Sequence, residues 1–263
     1  MKSKGDHVRY GALAALLIAI PCSHAQDGMQ TTITAAAPTW SGTWTAEVKD
    51  HYFGRMVDAI FADETVLQQS LDVNRRLGDK TSFSIMLWNS KGFHNNFGGY
   101  ADETDAGLGI SRKVGRFVVS GSAWIFFLYP GAGTDVSVLD AKAARAFVFG
   151  NNTITPYLQV QRYGLTNHEV PFHGGVYPMA GADYERRIGE RITLAVHYHE
   201  GYDLDGGFGQ TQGAHIFYTD IAPAIRVTGS FSIIPVRAAL GGGWNDPGRP
   251  IRATWSAGFA KTF

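Results

Sequence analysis

Arg116-Phe117-Val118-Val119-Ser120-Gly121-Ser122-Ala123-Trp124-Ile125-Phe126-Phe127-Leu128-Tyr129 is the run whose reading decides the fold. Phe117, Val119, Gly121, Ala123, Ile125, Phe127 and Tyr129 share one face at a period of two, while Arg116, Ser120 and Ser122 fall on the other with Trp124. Side chains of a strand alternate between faces, so this is a strand with one greasy side, bracketed by aromatic rings. Gly115 before it belongs to a tight turn, and Pro130-Gly131 after it opens a longer connection.

The same contrast of connections repeats along residues 40 to 263. Tight glycine-centred turns fall at Leu77-Gly78-Asp79-Lys80, Val114-Gly115-Arg116, Gly150-Asn151-Asn152, Ile188-Gly189-Glu190 and Thr228-Gly229-Ser230. Between them lie longer loops at Gly54 to Thr65, Lys91 to Asp102, Pro130 to Asp135, Gly164 to Phe172, Gly201 to Gly213 and Gly241 to Pro250. Short and long take turns without exception. That is the connectivity of an up-and-down barrel with minimal turns on one rim and elaborated loops on the other.

Twelve strands are predicted, at 40–52, 66–77, 81–90, 103–114, 116–129, 136–149, 153–163, 174–188, 190–200, 214–227, 230–240 and 251–263. Their even number places both chain ends on the short-turn rim, and most have about the ten residues that a tilted strand needs to cross hydrocarbon. In the ninth, Ile192, Leu194, Val196 and Tyr198 oppose Arg191, Thr193, His197 and His199; in the last, Ala253, Trp255, Ala257, Phe259 and Phe263 oppose Arg252, Thr254, Ser256, Gly258 and Thr262. Lys261 interrupts that apolar face near an interface, where its stem can carry the charge to water. Arg145 is out of phase, and Pro156, Pro178, Pro223 and Pro235 lie inside strands, which leaves bulges or a count of ten open.

Met1 to Ala25 has a basic start (Lys2, Lys4, Arg9), an apolar run from Gly11 to Ile20 and a Ser23-His24-Ala25 step before Gln26. This predicts a signal peptide over 1–25, removed on export, because ten apolar residues fall short of the ~20 that span a bilayer as a helix. Residues 26–39, rich in Thr and Ala, are predicted as a periplasmic N-terminal lead-in, and 40–263 as the barrel. Cys22, the single cysteine, follows Pro21, which does not suit a lipid-anchor site, so thiol and cysteine-metal chemistry are excluded from the mature chain. Losing Lys2, Lys4, Arg9 and Asp6 from 23 basic and 23 acidic residues leaves 20 and 22, and no basic excess points to nucleic acid.

Alternation alone also fits a soluble sandwich. The export signal, the aromatic ends of the greasy faces, the loop rhythm and the terminal Phe263 together decide for an all-β chain, a transmembrane antiparallel up-and-down barrel of about twelve strands. Only a closed barrel satisfies the backbone of strands inside a bilayer. The expected location is the outer membrane of a Gram-negative bacterium.

The closing Trp255-Ser256-Ala257-Gly258-Phe259-Ala260-Lys261-Thr262-Phe263 resembles the last strand of Gram-negative outer-membrane barrels. The resemblance implies a signal for the barrel-assembly machinery carried by Trp255, Phe259 and Phe263, with Lys261 a departure from the usual apolar residue. Tyr52-Phe53-Gly54-Arg55, Thr65 to Val73, Glu103 to Ile110 and Leu128-Tyr129-Pro130-Gly131 are similar to an uncharacterised proteobacterial family of porin-like barrels. That likeness implies a fold and a compartment and carries no catalytic residue.

Alternation turns Glu47, Lys49, Asp72, Arg76, Asp105, Asp140, Lys142, Asp183, Glu185, Arg187, His197, His199, Asp220, Arg226 and Arg252 toward the interior. Both signs are present, which suits either a hydrated, self-paired interior or a transverse field lining a narrow solute path. His197 and His199 point the same way but have no third ligand for a metal, and Tyr202-Asp203-Leu204-Asp205-Gly206-Gly207 lacks the spacing of a calcium loop. Neither a Gly-x-Ser-x-Gly elbow nor a His-Glu-x-x-His motif occurs. His94, His168 and His173 lie in long loops where catalytic groups gather, and Gly98-Gly99-Tyr100, Gly206 to Gly209 and Gly241-Gly242-Gly243-Trp244 put aromatics in outer loops, at headgroup level.

The expected function is a narrow passive channel or binding pore for small polar solutes. The barrel is expected to be a monomer surrounded by outer-membrane lipid, with no cofactor, no metal and no nucleic acid. A lipid- or peptide-processing barrel enzyme and a purely structural or adhesive barrel are the alternatives.

Overall fold

Residues 40–54, 59–62, 64–93, 102–129, 136–165, 174–205, 213–244 and 251–263 are described by a computed structural model, and within them each alternating run of the sequence is a strand. The strands are β1 (Trp40–Lys49), β2 (Tyr52–Gly54), β3 (Ala59–Ala62), β4 (Val66–Arg76), β5 (Thr81–Gly92), β6 (Asp102–Val114), β7 (Phe117–Tyr129) and β8 (Val136–Ala144). They continue with β9 (Phe147–Phe149), β10 (Asn152–Leu165), β11 (Val176–Ile188), β12 (Ile192–Asp203), β13 (Ala214–Thr228), β14 (Phe231–Trp244) and β15 (Arg252–Thr262). β2 and β3 form a small hairpin in the first long loop. The other strands pair antiparallel with their neighbours, and β15 returns to β1, closing a barrel of twelve staves in which β8 and β9 share one. The count is therefore twelve and not ten. The predicted signal peptide, the lead-in, Tyr100, Phe208 and His94, His168 and His173 lie outside the described residues.

Register fixes which side of each strand faces in. Thr45 pairs with Ser70, Ser70 with Trp88, Trp88 with Asp105, Asp105 with Phe126 and Phe126 with Val136, one unbroken inward row across six staves. The opposite parity carries Val48, Leu87, Leu108, Ile125, Leu139, Leu158 and Trp255, all exposed. In water such a surface would be a liability, whereas in lipid it is the required exterior.

The two phase faults of the sequence are accommodated locally. At Arg145, between β8 and β9, the guanidinium lies 4.5 Å from the centre of the Phe147 ring and 5.9 Å from that of Phe117. The register runs unshifted from β8 into β9, with the Arg145 amide donating to the Pro156 carbonyl at 3.1 Å, so Arg145 keeps the outward parity of its stave, on the aromatic outer surface near the short-turn rim. At Pro235, which has no amide hydrogen to give the ladder, the register of β14 against β15 shifts between Ile234 and Arg237. The bulge lets both Ile234 and Arg237 turn inward, where they are buried.

Phe263 extends the pairing of β15 with β1. Gly42 donates its amide to the Phe263 carbonyl at 2.9 Å and accepts the Phe263 amide at 3.0 Å, while the Phe263 ring lies over the bare Cα of Gly42. The Gly241 to Trp244 stretch, expected in a loop, continues β14, and Trp244 stacks on Phe217 with ring centres 4.6 Å apart.

At the far end of the same seam, Asp50 accepts hydrogen bonds from Thr254 Oγ1 at 2.5 Å and from the Trp255 amide at 2.8 Å. Burial alone would raise the Asp50 pKa, but the bonds from Thr254 and Trp255, together with His51 at 2.9 Å, hold the carboxyl below its usual range. A depressed folded-state pKa contributes stability that is present above the ordinary carboxylate value and lost as pH falls through the folded one. Asp50→Asn is therefore expected to lower the thermal midpoint at neutral pH, with the gap from the parent closing in strong acid. A gap that stays constant with pH would rule this contribution out.

Candidate functional site

Inside the barrel the polar side chains are joined into a belt. On β8 and β10, Asp140 accepts from Gln161 at 2.8 Å and from Gln159. Lys142, two residues along β8, places its ammonium 3.7 Å from the centre of the Tyr157 ring. The Tyr157 hydroxyl lies 3.4 Å from His197 Nε2, and the same nitrogen is 2.9 Å from His199 Nδ1. Asp183 of β11 engages the other nitrogen of His197. His199 stacks on Tyr218, whose hydroxyl donates to Asp220 at 2.8 Å.

From there the belt becomes ionic. Arg237 Nη1 is 3.2 Å from Asp220, and Nε and Nη2 grip both oxygens of Glu47 at 3.1 and 3.0 Å. Ser256 donates to Glu47 at 2.7 Å. The fork of the guanidinium matches a carboxylate with two parallel bonds, which fixes orientation as well as charge. Glu47, Asp220 and Arg237 are each under 10% exposed, so these charges are held by one another and by little water. The connected groups run from β8 through β10, β11, β12, β13, β14 and β15 to β1, eight consecutive staves of the twelve.

Above the belt, toward the long loops, the interior turns apolar. Met86, Trp124, Phe126, Val136, Val138, Tyr163, Tyr177, Met179 and Ile216 form one contiguous buried cluster. Met86 on β5 and Ile216 on β13 come from well-separated walls, and both are essentially inaccessible, at 0% and 1%. These side chains fill space in the outer half of the lumen, and Glu103 and Asp105 are buried at the same level, Asp105 directly opposite Phe126 in the register. Expectation put the greasy residues outside alone; the interior is instead layered. Twelve staves enclose more space than the eight that side chains fill readily, and the large rings take it up. Inward glycines make room for them: a Cβ on Gly107 would lie 2.5 Å from the Trp124 ring, and Tyr157 lies across Gly181 in the same manner.

Below the belt, toward the short turns, Asn74, Glu185, Arg187, Thr193 and Arg226 are only half-buried and Arg76 is exposed. This is a vestibule open at the short-turn end.

All fifteen residues expected inside carry the inward parity in the register. The belt brings together Glu47, Asp140, Lys142, Asp183, His197, His199 and Asp220. Glu185 and Arg187 approach each other at 3.5 Å in the vestibule, and Asp105 lies buried beside Glu103 on β6. Lys49, two residues along β1, brings its charge to bear on Glu47, and Asp72, Arg76, Arg226 and Arg252 lie elsewhere on the inward faces. Arg237, Tyr157, Tyr218, Gln159, Gln161 and Glu103 were not singled out by the sequence. For Arg237 the signal was Pro235, since a bulge there restores its inward phase.

Among the described residues, no group of three or more His, Cys, Asp or Glu is arranged to hold a metal ion. In the acidic stretch after β12, Asp205 accepts the Val176 amide at 2.9 Å and Asp203 is buried.

Solved structures with this architecture exist. The chain is similar to an outer membrane channel from Pseudomonas putida F1 (TM-score 0.56, 10% identity, 90% of this chain and 100% of that one). It is similar to the NanC porin (TM-score 0.55, 7% identity, 83% and 98%). It is also similar to the translocator domain of the autotransporter NalP from Neisseria meningitidis (TM-score 0.53, 11% identity, 88% and 90%). At such identities the likeness is one of fold, the outer-membrane β-barrel. No family model matches the sequence, and no curated protein matches it.

Proposed function

We propose that this barrel is an outer-membrane channel or binding pore for small polar solutes, with the charged belt as its selective wall and the apolar layer as its gate. The observation that carries the reading is the belt, eight staves of linked polar groups between a half-exposed vestibule and a buried, mostly apolar layer, the cap. Desolvating ions costs several kcal/mol each, roughly, and a barrel serving only as a scaffold could fill the same space with apolar side chains. Opposite charges on neighbouring walls suit a zwitterionic or strongly hydrogen-bonding solute. Hydrophobic constrictions gate pores by dewetting, and the cap has that composition. Two structural neighbours bear the names channel and porin, which supports the reading.

Export through the 1–25 signal peptide, recognition of Trp255, Phe259 and Phe263 by the barrel-assembly machinery, a monomeric state and a lipid surround complete the proposal. Planar-bilayer recording of the refolded mature chain tests it: small, ion-selective, intermittent currents are expected. Lys142→Glu, which replaces the cation of the belt beside Asp140, is expected to move the reversal potential in a salt gradient toward cation preference. An unchanged reversal potential would remove the belt from the conduction path.

A purely structural or adhesive barrel is the second reading, favoured by the buried cap. It prevails if no current appears even after the cap is loosened. A lipid- or peptide-processing enzyme would rest on His94, His168 and His173, which lie outside the described residues, and hydrolysis of labelled lipid that is lost in His173→Ala would favour it.

A further inference from the structure

The two rims of the barrel treat outward-facing charge differently. On the long-loop side Lys91 pairs with Asp102 and Glu200 lies 3.3 Å from His215, while Arg162 of β10 is an exposed outward cation. On the short-turn side the outward strand positions carry Arg75, Arg112, Arg145, Arg186 and Lys261 and no acid; Asp79 and Glu190 of that rim lie in the turns. Two of these cations rest on aromatic faces, Arg75 being 5.2 Å from the centre of the Trp40 ring and Arg145 lying over Phe147. Arg186 is exposed, and among the described residues no carboxylate pairs with it.

Arg186 also borders a cleft. Gly150, Asn151, Asn152, Arg186, Arg187 and Gly189 line an open space of about 500 Å³ between the β9 to β10 turn and the β11 to β12 turn. Gly150 and Gly189 have φ of 62° and 64°, the left-handed region that a tight turn needs, so the backbone of both turns borders the space together with the side chains of Asn151, Asn152 and Ile188. The Arg187 amide donates to the Asn151 carbonyl at 2.9 Å and the Tyr184 hydroxyl donates to Asn152 at 2.8 Å, which bind the two sides of the cleft together. Phe147, Phe149, Ile154 and Ile188 are exposed apolar groups on the adjoining strands.

From this we propose that the cleft seats an anionic glycerophospholipid of the periplasmic leaflet. Its phosphate lies against Arg186, its acyl chains run along the apolar strand faces, and the remaining outward cations form a weaker ring for the same lipid class. The proposal rests on the membrane-barrel reading but not on conduction. A guanidinium at the headgroup level attracts anionic lipid, and an open space of about 500 Å³ between the short turns has room for a headgroup beside the apolar strand faces. On the opposite rim the charge of Lys91 is offset by Asp102, which leaves Arg162 as the outward strand cation there against five on the short-turn side.

Native mass spectrometry of the mature barrel in mixed micelles tests this with phosphatidylglycerol and phosphatidylcholine as probes. Phosphatidylglycerol adducts are expected to dominate, and Arg186→Gln to weaken them about fivefold, the effect of one interfacial cation. Arg162→Gln removes an outward cation of β10 near the long-loop rim and is expected to leave the adducts unchanged. Heat-modifiable migration on gels verifies that each variant is a closed barrel, and bilayer recording reads the channel separately. Equal retention of both lipids, or an Arg186→Gln variant that keeps its adducts, would overturn the assignment. So would soluble glycerol phosphate displacing the lipid at equal concentration, which would make the cleft a site for dissolved anions.

Discussion

Arg237→Met is expected to lower the unfolding free energy of the barrel by about 3–5 kcal/mol, the range for removing one partner of a buried ion pair. Arg237 bridges Glu47 and Asp220, so its loss leaves Glu47 with the Ser256 hydroxyl and the charge of Lys49, and Asp220 with the Tyr218 hydroxyl, in place of the guanidinium. Arg237→Lys is expected to recover only part of the loss, because an ammonium cannot reproduce the two parallel bonds to Glu47. Replacing Arg237, Glu47 and Asp220 together by Met, Leu and Leu is expected to restore most of it, since the desolvation cost disappears with the charges. Urea unfolding in lipid vesicles, followed by tryptophan fluorescence, gives the values. If the single Met variant were as stable as the parent, the triad would have no part in holding the staves together.

That triad also shows where the sequence stops being legible. Lipid outside demands a continuous apolar parity, so the twelve strands and the inward sense of Glu47 and Asp220 could be read from β1 and β13 alone. Arg237 could not, because two phases run through β14: Ile233 sets one and Leu240 the other, and only the bulge at Pro235 joins them. The cap was hidden for a different reason. Inward Trp124, Phe126 and Val138 break no pattern when the outward neighbours are apolar too, so the run Trp124 to Tyr129 does not say on which side its greater bulk lies. Glu47 and Arg237 are 190 residues apart, and nothing in the spacing of either announces the other. The loop histidines remain an expectation about residues outside those described.

The second large effect concerns the cap. Phe126→Ser and Trp124→Ser are expected to turn intermittent currents into sustained ones about an order of magnitude larger, because a dewetted constriction conducts once it is polar and wide enough for water. Trp124 donates from Nε1 to Ser122 at 2.8 Å, meets Phe126 edge-on at 6.2 Å and covers Gly107, so its removal opens the layer at its centre. Large-to-small changes at such sites cost about 3–5 kcal/mol, and the barrel must be shown to fold. Val138→Thr guards against that ambiguity. It keeps the shape of the side chain while adding a hydroxyl to the layer, and is expected to raise the open probability with little change in unfolding. Currents that remain at background in all three folded variants would assign the barrel to the structural role.

The bond between Gly42 and Phe263 joins positions at the two extremes of the described chain. Every other stave meets a neighbour close in sequence, so the hairpins can form early, whereas this last pairing must recruit a loop made of the whole polypeptide, and its entropic cost comes due at the end. Until then the nascent sheet has two bare edges, each a template for a second copy. The ring of Phe263 settling on Gly42 therefore acts as a latch, and shortening the chain by that one residue should prolong the unlatched, aggregation-prone interval more than it weakens the finished cylinder.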